Sequence, residues 1–135
     1  MILIIEIIEI IGDILMFALP LYAIFCEERK TNNQSFTINN FCLDFLSKYI
    51  LGMVICYYLK FVINKKTPDG NNNNSFPSGH TMSAYLSALY TMKQKNKYDN
   101  ICLFLSLFVG FSRIVSRKHY IIDVISSMCI SHFII

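Results

Sequence analysis

Long apolar segments separated by short polar ones constrain this chain more than any other feature. Hydrophobic residues make up 54% of its 135 positions, and they occur in long runs rather than at core-like intervals. Five segments without strand-like alternation can be drawn, at about residues 2–26, 41–63, 78–92, 100–114 and 119–135. A helix needs about 20 apolar residues to cross a hydrocarbon core. We therefore expect a single all-α domain, an integral-membrane helical bundle of about five transmembrane or interfacial helices.

The segments differ in length, and this suggests two parts within the one domain 1–135. Residues 1–40 hold an N-terminal helix and a polar loop, and residues 41–135 hold the core. The first segment lacks the basic leader of a signal peptide, so we expect it to be retained. The last three would be roughly 22–26 Å long as helices, so spanning requires local thinning or deeper interfacial anchoring. The acids Glu6, Glu9 and Asp13 share roughly one helical face and are expected to be structural, facing other helices or water.

Two motifs in the second half hold side chains that phosphoryl transfer needs. The first is Pro77-Ser78-Gly79-His80, and the second is Ser112-Arg113, five residues, His119, three residues and Asp123. Residues four apart share one face of a helix. A carboxylate at 123 that accepts a proton from the His119 ring would fix its tautomer and leave the other nitrogen free to attack. His80 would protonate the departing oxygen and later take a proton from water.

The same motifs supply groups that bind an anion. Arg113 offers a planar fork suited to phosphate. Ser78 offers a hydroxyl, and the amide of Gly79 can approach an anion closely because it has no side chain. Five spans in series would bring the ends of segments two and four and the starts of three and five to one membrane face. Lys60, at the end of segment two, joins the motif residues there.

These residues resemble the motifs of the type 2 phosphatidic acid phosphatase / vanadium-dependent haloperoxidase superfamily, which read PSGH and SR-x5-H-x3-D. The family's first motif, K-x6-RP, is matched at Lys60 and Pro68, but Thr67 stands where the arginine should be. The loss removes a bidentate phosphate contact. Lys60 and Lys66 are candidate phosphate ligands, and the other cations that would compensate for the arginine are Lys65, Arg117 and Lys118.

The resemblance implies a membrane-embedded phosphatase that hydrolyses a lipid phosphate monoester or diphosphate through a phosphohistidine intermediate, without a metal ion or cofactor. His119, His80 and Asp123 would be its catalytic residues. The expected partners are the lipid substrate and the bilayer, and the oligomeric state stays open. The positive-inside rule puts the active site of this multi-pass protein on the lumenal or external face, since basic residues lie at the opposite side: Arg29, Lys30, Lys93, Lys95 and Lys97.

Other functions are weighed against this one. Thr67 favours a catalytically inactive family member that serves as a membrane scaffold or lipid-binding protein. Vanadate-dependent halide oxidation fits poorly, because those relatives are large soluble proteins. The chain has no HExxH or CxxC motif for zinc and no GxSxG elbow, and we read His132 as a surface residue. A net charge of +3 concentrated near the proposed phosphate site requires no nucleic-acid patch. The asparagine-rich stretch 64–76 is read as a turn and linker rather than a binding surface.

Overall fold

The computed structural model describes residues 1–28, 38–95 and 97–135, with the backbone alone for 26–28 and 38–42. These residues form five helices and no strand: α1 (Ile2–Glu28), α2 (Ile38–Ile63), α3 (Gly79–Lys93), α4 (Asp99–Val115) and α5 (Ile121–Ile134). The all-α bundle expected from the apolar runs is confirmed, and each helix end lies within three residues of its predicted position.

Helix α3 lies at the centre of the bundle and packs against all four other helices. Its buried positions include small side chains at Ser83, Ala84, Ser87 and Ala88, which allow neighbouring helices to approach closely. One core cluster joins α1, α3 and α4 and contains Leu19, Ala84, Ala88, Cys102 and Val109. A second joins α1, α2 and α3 through Ala23, Phe45, Leu86 and Tyr90. The core therefore depends on α1 as much as on the later helices.

Helix α1 crosses the C-terminal part of α4 at very short range. A Cβ atom added at Gly12 would lie 2.1 Å from the Oγ of Ser112 and 2.9 Å from its Cβ. Real side chains do not approach so closely, so the crossing requires glycine at this position. It brings the acidic positions 9 and 13 of α1 next to Arg113.

Large apolar side chains cover much of the outer surface of the bundle. Exposed examples are Phe17 on α1, Phe61 on α2, Phe104 on α4 and Phe133 on α5. Within the described residues, the segment Leu43–Ile63 is long and apolar enough to cross a membrane by length and composition. The helices α3, α4 and α5 have 15, 17 and 14 residues and are too short to meet that criterion.

The loop between α2 and α3 forms the turns expected from its asparagine tract. The expectation that it is only a linker was wrong, because it bonds to other parts of the protein and lines the cavity described below. The amide of Ser75 donates to the carbonyl of Lys65 (2.9 Å), and the amide of Thr67 donates to the carbonyl of Asn72 (2.8 Å). The amide of Asp69 donates to the carbonyl of Arg117, between α4 and α5 (3.1 Å). Asn and Asp favour such compact turns because their side chains bond to nearby backbone. The loop between α1 and α2, with Arg29 and Lys30, lies outside the described residues at 29–37.

Candidate active site

The predicted motif residues meet at one cavity of about 400 Å³. Lys60 comes from the end of α2, His80 from the start of α3, Arg113 from the end of α4 and His119 from the segment before α5. The cavity is also lined by Glu9, Met16 and Phe17 of α1 and by Thr67, Asn72 and Asn74 of the α2–α3 loop. The cavity therefore contains residues from all five apolar segments. The topology predicted from the sequence brought segments two to five together and did not include the first.

The proton position on His119 follows from its hydrogen bond. Its Nδ1 lies 2.6 Å from the backbone carbonyl oxygen of Ser75. A carbonyl oxygen only accepts, so Nδ1 carries the proton and donates it, and Nε2 of the neutral ring keeps a lone pair. The side chain is nearly buried. His119 therefore presents the tautomer that a nucleophilic imidazole requires.

Asp123 does not bond directly to His119, in contrast to the expectation from their spacing. The His119 Nδ1 and Asp123 Oδ2 atoms are 3.9 Å apart, which is beyond a hydrogen bond. The physical reason is that α5 begins at Ile121, so His119 precedes the helix and the two residues share no helical face. The buried carboxylate of Asp123 instead accepts from Lys65 Nζ (2.6 Å), the Ser75 hydroxyl (2.5 Å) and the Tyr120 amide (2.9 Å).

Ser75 links the two residues that the sequence pattern paired directly. Its hydroxyl donates to Asp123 and its backbone carbonyl accepts from His119. Sequence analysis missed Ser75 entirely and considered Lys65 only as a phosphate ligand. Ser75 lies between the first and second motifs and Lys65 lies within the first, and neither position identifies a role.

Burial determines the charge of His119. Desolvation lowers the pKa of its imidazole to about 4, and the nearby charge of Lys60 acts in the same direction. The ring is therefore neutral at physiological pH. A neutral imidazole has the free electron pair that an attack on phosphorus needs.

His80 and Arg113 both contact an acid of α1. Asp13 Oδ1 lies 3.1 Å from His80 Nε2 and 2.9 Å from Arg113 Nη1. Arg113 is 3% exposed, and its Nη2 also donates to the backbone carbonyl of Glu9 (2.9 Å). The three acids of α1, which were expected to have one structural role, therefore lie in different surroundings. Glu6 is exposed, whereas Glu9 and Asp13 face the motif residues.

The predicted anion ligands separate into those in the cavity and those outside it. Lys60 lines the cavity, where its Nζ donates to the carbonyl of Asn74 (2.5 Å). Gly79 also lines it, at the first turn of α3, where unpaired helix amides favour an anion. Ser78 is fully buried and caps α3, since its Oγ accepts from the Thr81 hydroxyl (3.0 Å) and amide (3.4 Å). The structure thus makes Ser78 a helix cap that does not line the cavity.

Of the lysines expected to compensate for the missing arginine, Lys118 is the one that lines the cavity. Lys66 is exposed and does not line the cavity, and Lys65 is paired with Asp123. Lys118 lines the cavity and lies 3.4 Å from Asp69 Oδ2. The Thr67 hydroxyl donates to Asp69, and this bond, with the Asn71 amide, lowers the pKa of Asp69 to about 2. Thr67 therefore helps to hold an ionised carboxylate beside Lys118 rather than contacting an anion as arginine would.

Comparisons with known proteins agree with this arrangement. The family model described as the PAP2 superfamily matches residues 41–135. The lipid A 1-phosphatase of Porphyromonas gingivalis is 34% identical over 70 residues, which are 49% of this chain and 16% of that protein. The chain thus corresponds to a small part of that relative's length. No solved structure matches the chain. Because the family model covers well over half of the chain and contains the converging motif residues, the chain belongs to the PAP2 superfamily.

Proposed function

We propose that the protein is a membrane-embedded phosphatase that hydrolyses a lipid phosphate monoester or diphosphate through a phosphohistidine intermediate. One observation carries the proposal. His119 donates its Nδ1 proton to the Ser75 carbonyl, and so keeps a lone pair on Nε2 in a cavity shared with Lys60, His80 and Arg113. A nucleophile, an acid–base group and two cations in one cavity are the parts that phosphoryl transfer to an imidazole needs.

In the first step, His119 Nε2 attacks phosphorus and the bond to the leaving oxygen breaks. The bonding pair stays on that oxygen, which takes a proton from protonated His80. Negative charge on the other phosphate oxygens is stabilised by Lys60, Arg113 and Lys118 and by the first amides of α3. These groups are already in place before the substrate arrives, so little reorganisation accompanies the reaction.

In the second step, water attacks the phosphorus of phosphohistidine. The P–N bond breaks and its electron pair returns to Nε2 of His119. His80, now neutral, takes a proton from the attacking water, and inorganic phosphate leaves. His80 thus regains the proton that it gave up in the first step, and the enzyme returns to its starting state.

The lipid character of the substrate is supported by the surface around the cavity. Met16, Phe17 and Met53 line it beside the charged groups. Exposed apolar side chains cover the outer faces of α1, α2, α4 and α5, and contiguous apolar surface of this kind is typical of contact with lipid. A headgroup can therefore reach the cations while its hydrocarbon chain stays in apolar surroundings. The name of the Porphyromonas gingivalis relative agrees with a lipid-linked phosphate.

The test measures phosphate release by the purified, detergent-solubilised protein. The substrates are phosphatidate, lysophosphatidate, a sphingoid-base phosphate, a polyprenyl diphosphate and lipid A, each with and without EDTA and with vanadate as inhibitor. We expect vanadate-sensitive release, reduced about 10³-fold or more by His119→Ala. His132→Ala is the matched control, since His132 is exposed and does not line the cavity. Release that persists in His119→Ala would contradict the mechanism.

A second function is favoured by one observation, the threonine at position 67. In that case the protein is an inactive member that binds lipid phosphate or serves as a membrane scaffold. A folded sample that binds vanadate but releases no phosphate from any substrate in the panel would favour this alternative over the phosphatase.

A further inference from the structure

Helix α1 contributes to the cavity although it lies outside the residues that the family model matches. The match covers residues 41–135, whereas Glu9, Met16 and Phe17 of α1 line the cavity. The close crossing at Gly12 fixes α1 against Ser112 and Arg113. The family motifs therefore do not account for every charged group at this site.

Asp13 is the acid of α1 that contacts both His80 and Arg113. Its Oδ1 lies 3.1 Å from Nε2 of His80 and 2.9 Å from Nη1 of Arg113. Within the described residues, no protein group hydrogen-bonds Nδ1 of His80, while the ring lines the cavity. The Nε2 atom thus lies within ion-pair distance of a carboxylate oxygen that accepts no aligned hydrogen bond, and Nδ1 is available to a ligand. A carboxylate in this position holds the ring and stabilises its protonated form.

We propose that Asp13 is a positioning residue for His80. It pairs with the Nε2–H group, so that Nδ1 is the atom that gives a proton to the leaving oxygen and later takes one from water. This inference rests on the proposed phosphatase function, since it assigns the residue that orients the general acid and favours its protonated form.

The other charged groups around His80 show why a carboxylate is needed. Burial of the ring disfavours its protonated form most, and the charges of Arg113 of α4 and Lys60 of α2 act in the same direction. His119 lies close by, before α5. Glu9, also on α1, lies 3.9 Å from Arg113 Nη1 and has no ion pair with His80. Asp13 is therefore the acid that offsets the cations at His80. Without it, burial and the two cations would disfavour the protonated ring more strongly, and protonated His80 is the form that has a proton to give.

Removing the charge of Asp13 should affect proton transfer by His80 and anion binding by Arg113 differently. Arg113 is also held by the Glu9 carbonyl (2.9 Å) and by the Ser112 hydroxyl (3.3 Å). It therefore stays in place when the charge of Asp13 is removed. Asp13 also competes with a substrate phosphate for Nη1, because both are anions. Neutralising Asp13 should therefore impair proton transfer without weakening anion binding.

The experiment compares Asp13→Asn, Asp13→Glu and Glu6→Gln in the full chain in detergent. Glu6→Gln is the matched control, since Glu6 is an exposed acid of the same helix and does not line the cavity. For Asp13→Asn we expect kcat to fall about 10-fold or more. We expect the basic limb of the pH–rate profile to move to lower pH and the vanadate inhibition constant to stay equal or fall. Asp13→Glu should recover part of kcat, and Glu6→Gln should behave as the wild type.

A loss of kcat and vanadate affinity together in Asp13→Asn would overturn the proposal and assign α1 a purely structural role. An unchanged pH–rate profile would also overturn it. Nitrogen-15 NMR of the histidine rings, assigned with His80→Asn, gives a readout independent of turnover. We expect a proton on Nε2 of neutral His80 and a titration that moves to lower pH in Asp13→Asn, and an unchanged titration would refute the role. Absence of wild-type turnover would refute the proposed phosphatase alone, since the NMR result still decides the role of Asp13.

Discussion

The two largest effects on the protonation of His119 both favour the neutral ring. The side chain is nearly buried, which disfavours a charge, and Lys60 adds repulsion. The unfolded chain has an ordinary histidine pKa of 6.5, whereas the folded chain has about 4. The unfolded state therefore binds a proton first as pH falls. The contribution of neutral His119 to the free energy of unfolding is therefore fully present above about pH 6.5. It is lost progressively as the pH falls towards 4.

Histidine-selective nitrogen-15 NMR checks this value. We expect the His119 ring to titrate near pH 4 in the wild type. In Lys60→Met the midpoint should rise but stay below 6.5, because burial is the larger cause. His119→Asn identifies the resonance. A wild-type midpoint at or above 6.5 would show that the ring is not desolvated as the structure indicates.

A pair of lysine variants tests which cation compensates for Thr67. Lys118 lines the cavity and Lys66 is exposed outside it. Lys118→Met should weaken vanadate inhibition by roughly 10-fold, since a charge-assisted contact contributes about 1.5–3 kcal/mol and part of it is screened here. Lys66→Met removes the same charge outside the cavity and should change inhibition little. If both variants weakened vanadate inhibition equally, the net charge of the protein rather than the position of Lys118 would determine anion binding.

The sequence predicted the residue types at the site better than the contacts between them. His80, Arg113 and His119 meet as their motifs predict. The direct pair of His119 with Asp123 was not formed, because the argument assumed that the helix begins before His119. Asp13 and Ser75 were not identified as site residues, because their roles depend on contacts across 67 and 44 positions of chain. No local pattern carries information about such contacts.

Among the helices, α1 depends most on a single position. Gly12 allows the helix to contact Ser112 directly, and a methyl group there meets both Oγ and Cβ of that serine. The second of these atoms cannot move without the backbone of α4. The position of Glu9 at the cavity and of Asp13 beside Arg113 therefore depends on the absence of a side chain at position 12.

Gly12→Ala should lower the free energy of unfolding by about 1–3 kcal/mol, the usual range for overpacking a well-packed contact. It should also reduce phosphate release, because α1 must move away from Arg113. Gly52→Ala is the matched control. Its added methyl group would meet chiefly the Cδ1 atom of Leu86, the far end of a flexible side chain. Thermal unfolding in detergent, with activity on the same samples, checks both. A smaller loss for Gly12→Ala than for Gly52→Ala would contradict the packing described for α1.

The helices themselves followed closely from the sequence, whereas the α2–α3 loop did not. Apolar runs reveal helices because burial and periodicity are local properties. The loop bonds instead to the α4–α5 connection through Asp69 and Arg117, and to Asp123 through Ser75. Its asparagine-rich composition conceals these distant partners, so composition alone predicted a linker.

For the molecule as a whole, large apolar side chains form much of the outer surface. Charged groups surround an internal cavity, while large apolar side chains on α1, α2, α4 and α5 face outward. We expect the expressed protein to stay in the membrane pellet after extraction with alkaline carbonate and to require detergent for release. A peripheral membrane protein expressed in the same cells is the control. Release of this protein by carbonate alone would contradict membrane embedding.

The hydrogen bond from His119 to Ser75 has a consequence for how this site can be studied and how it can evolve. The acceptor is a peptide carbonyl, which every amino acid possesses. Substitution at position 75 therefore cannot delete it, and an alanine scan would overlook the group that orients the imidazole. Changes in the path of the main chain, such as an insertion or deletion among the asparagines, would displace it while leaving every motif letter intact. The tautomer of His119 is thus encoded in loop length more than in side-chain identity.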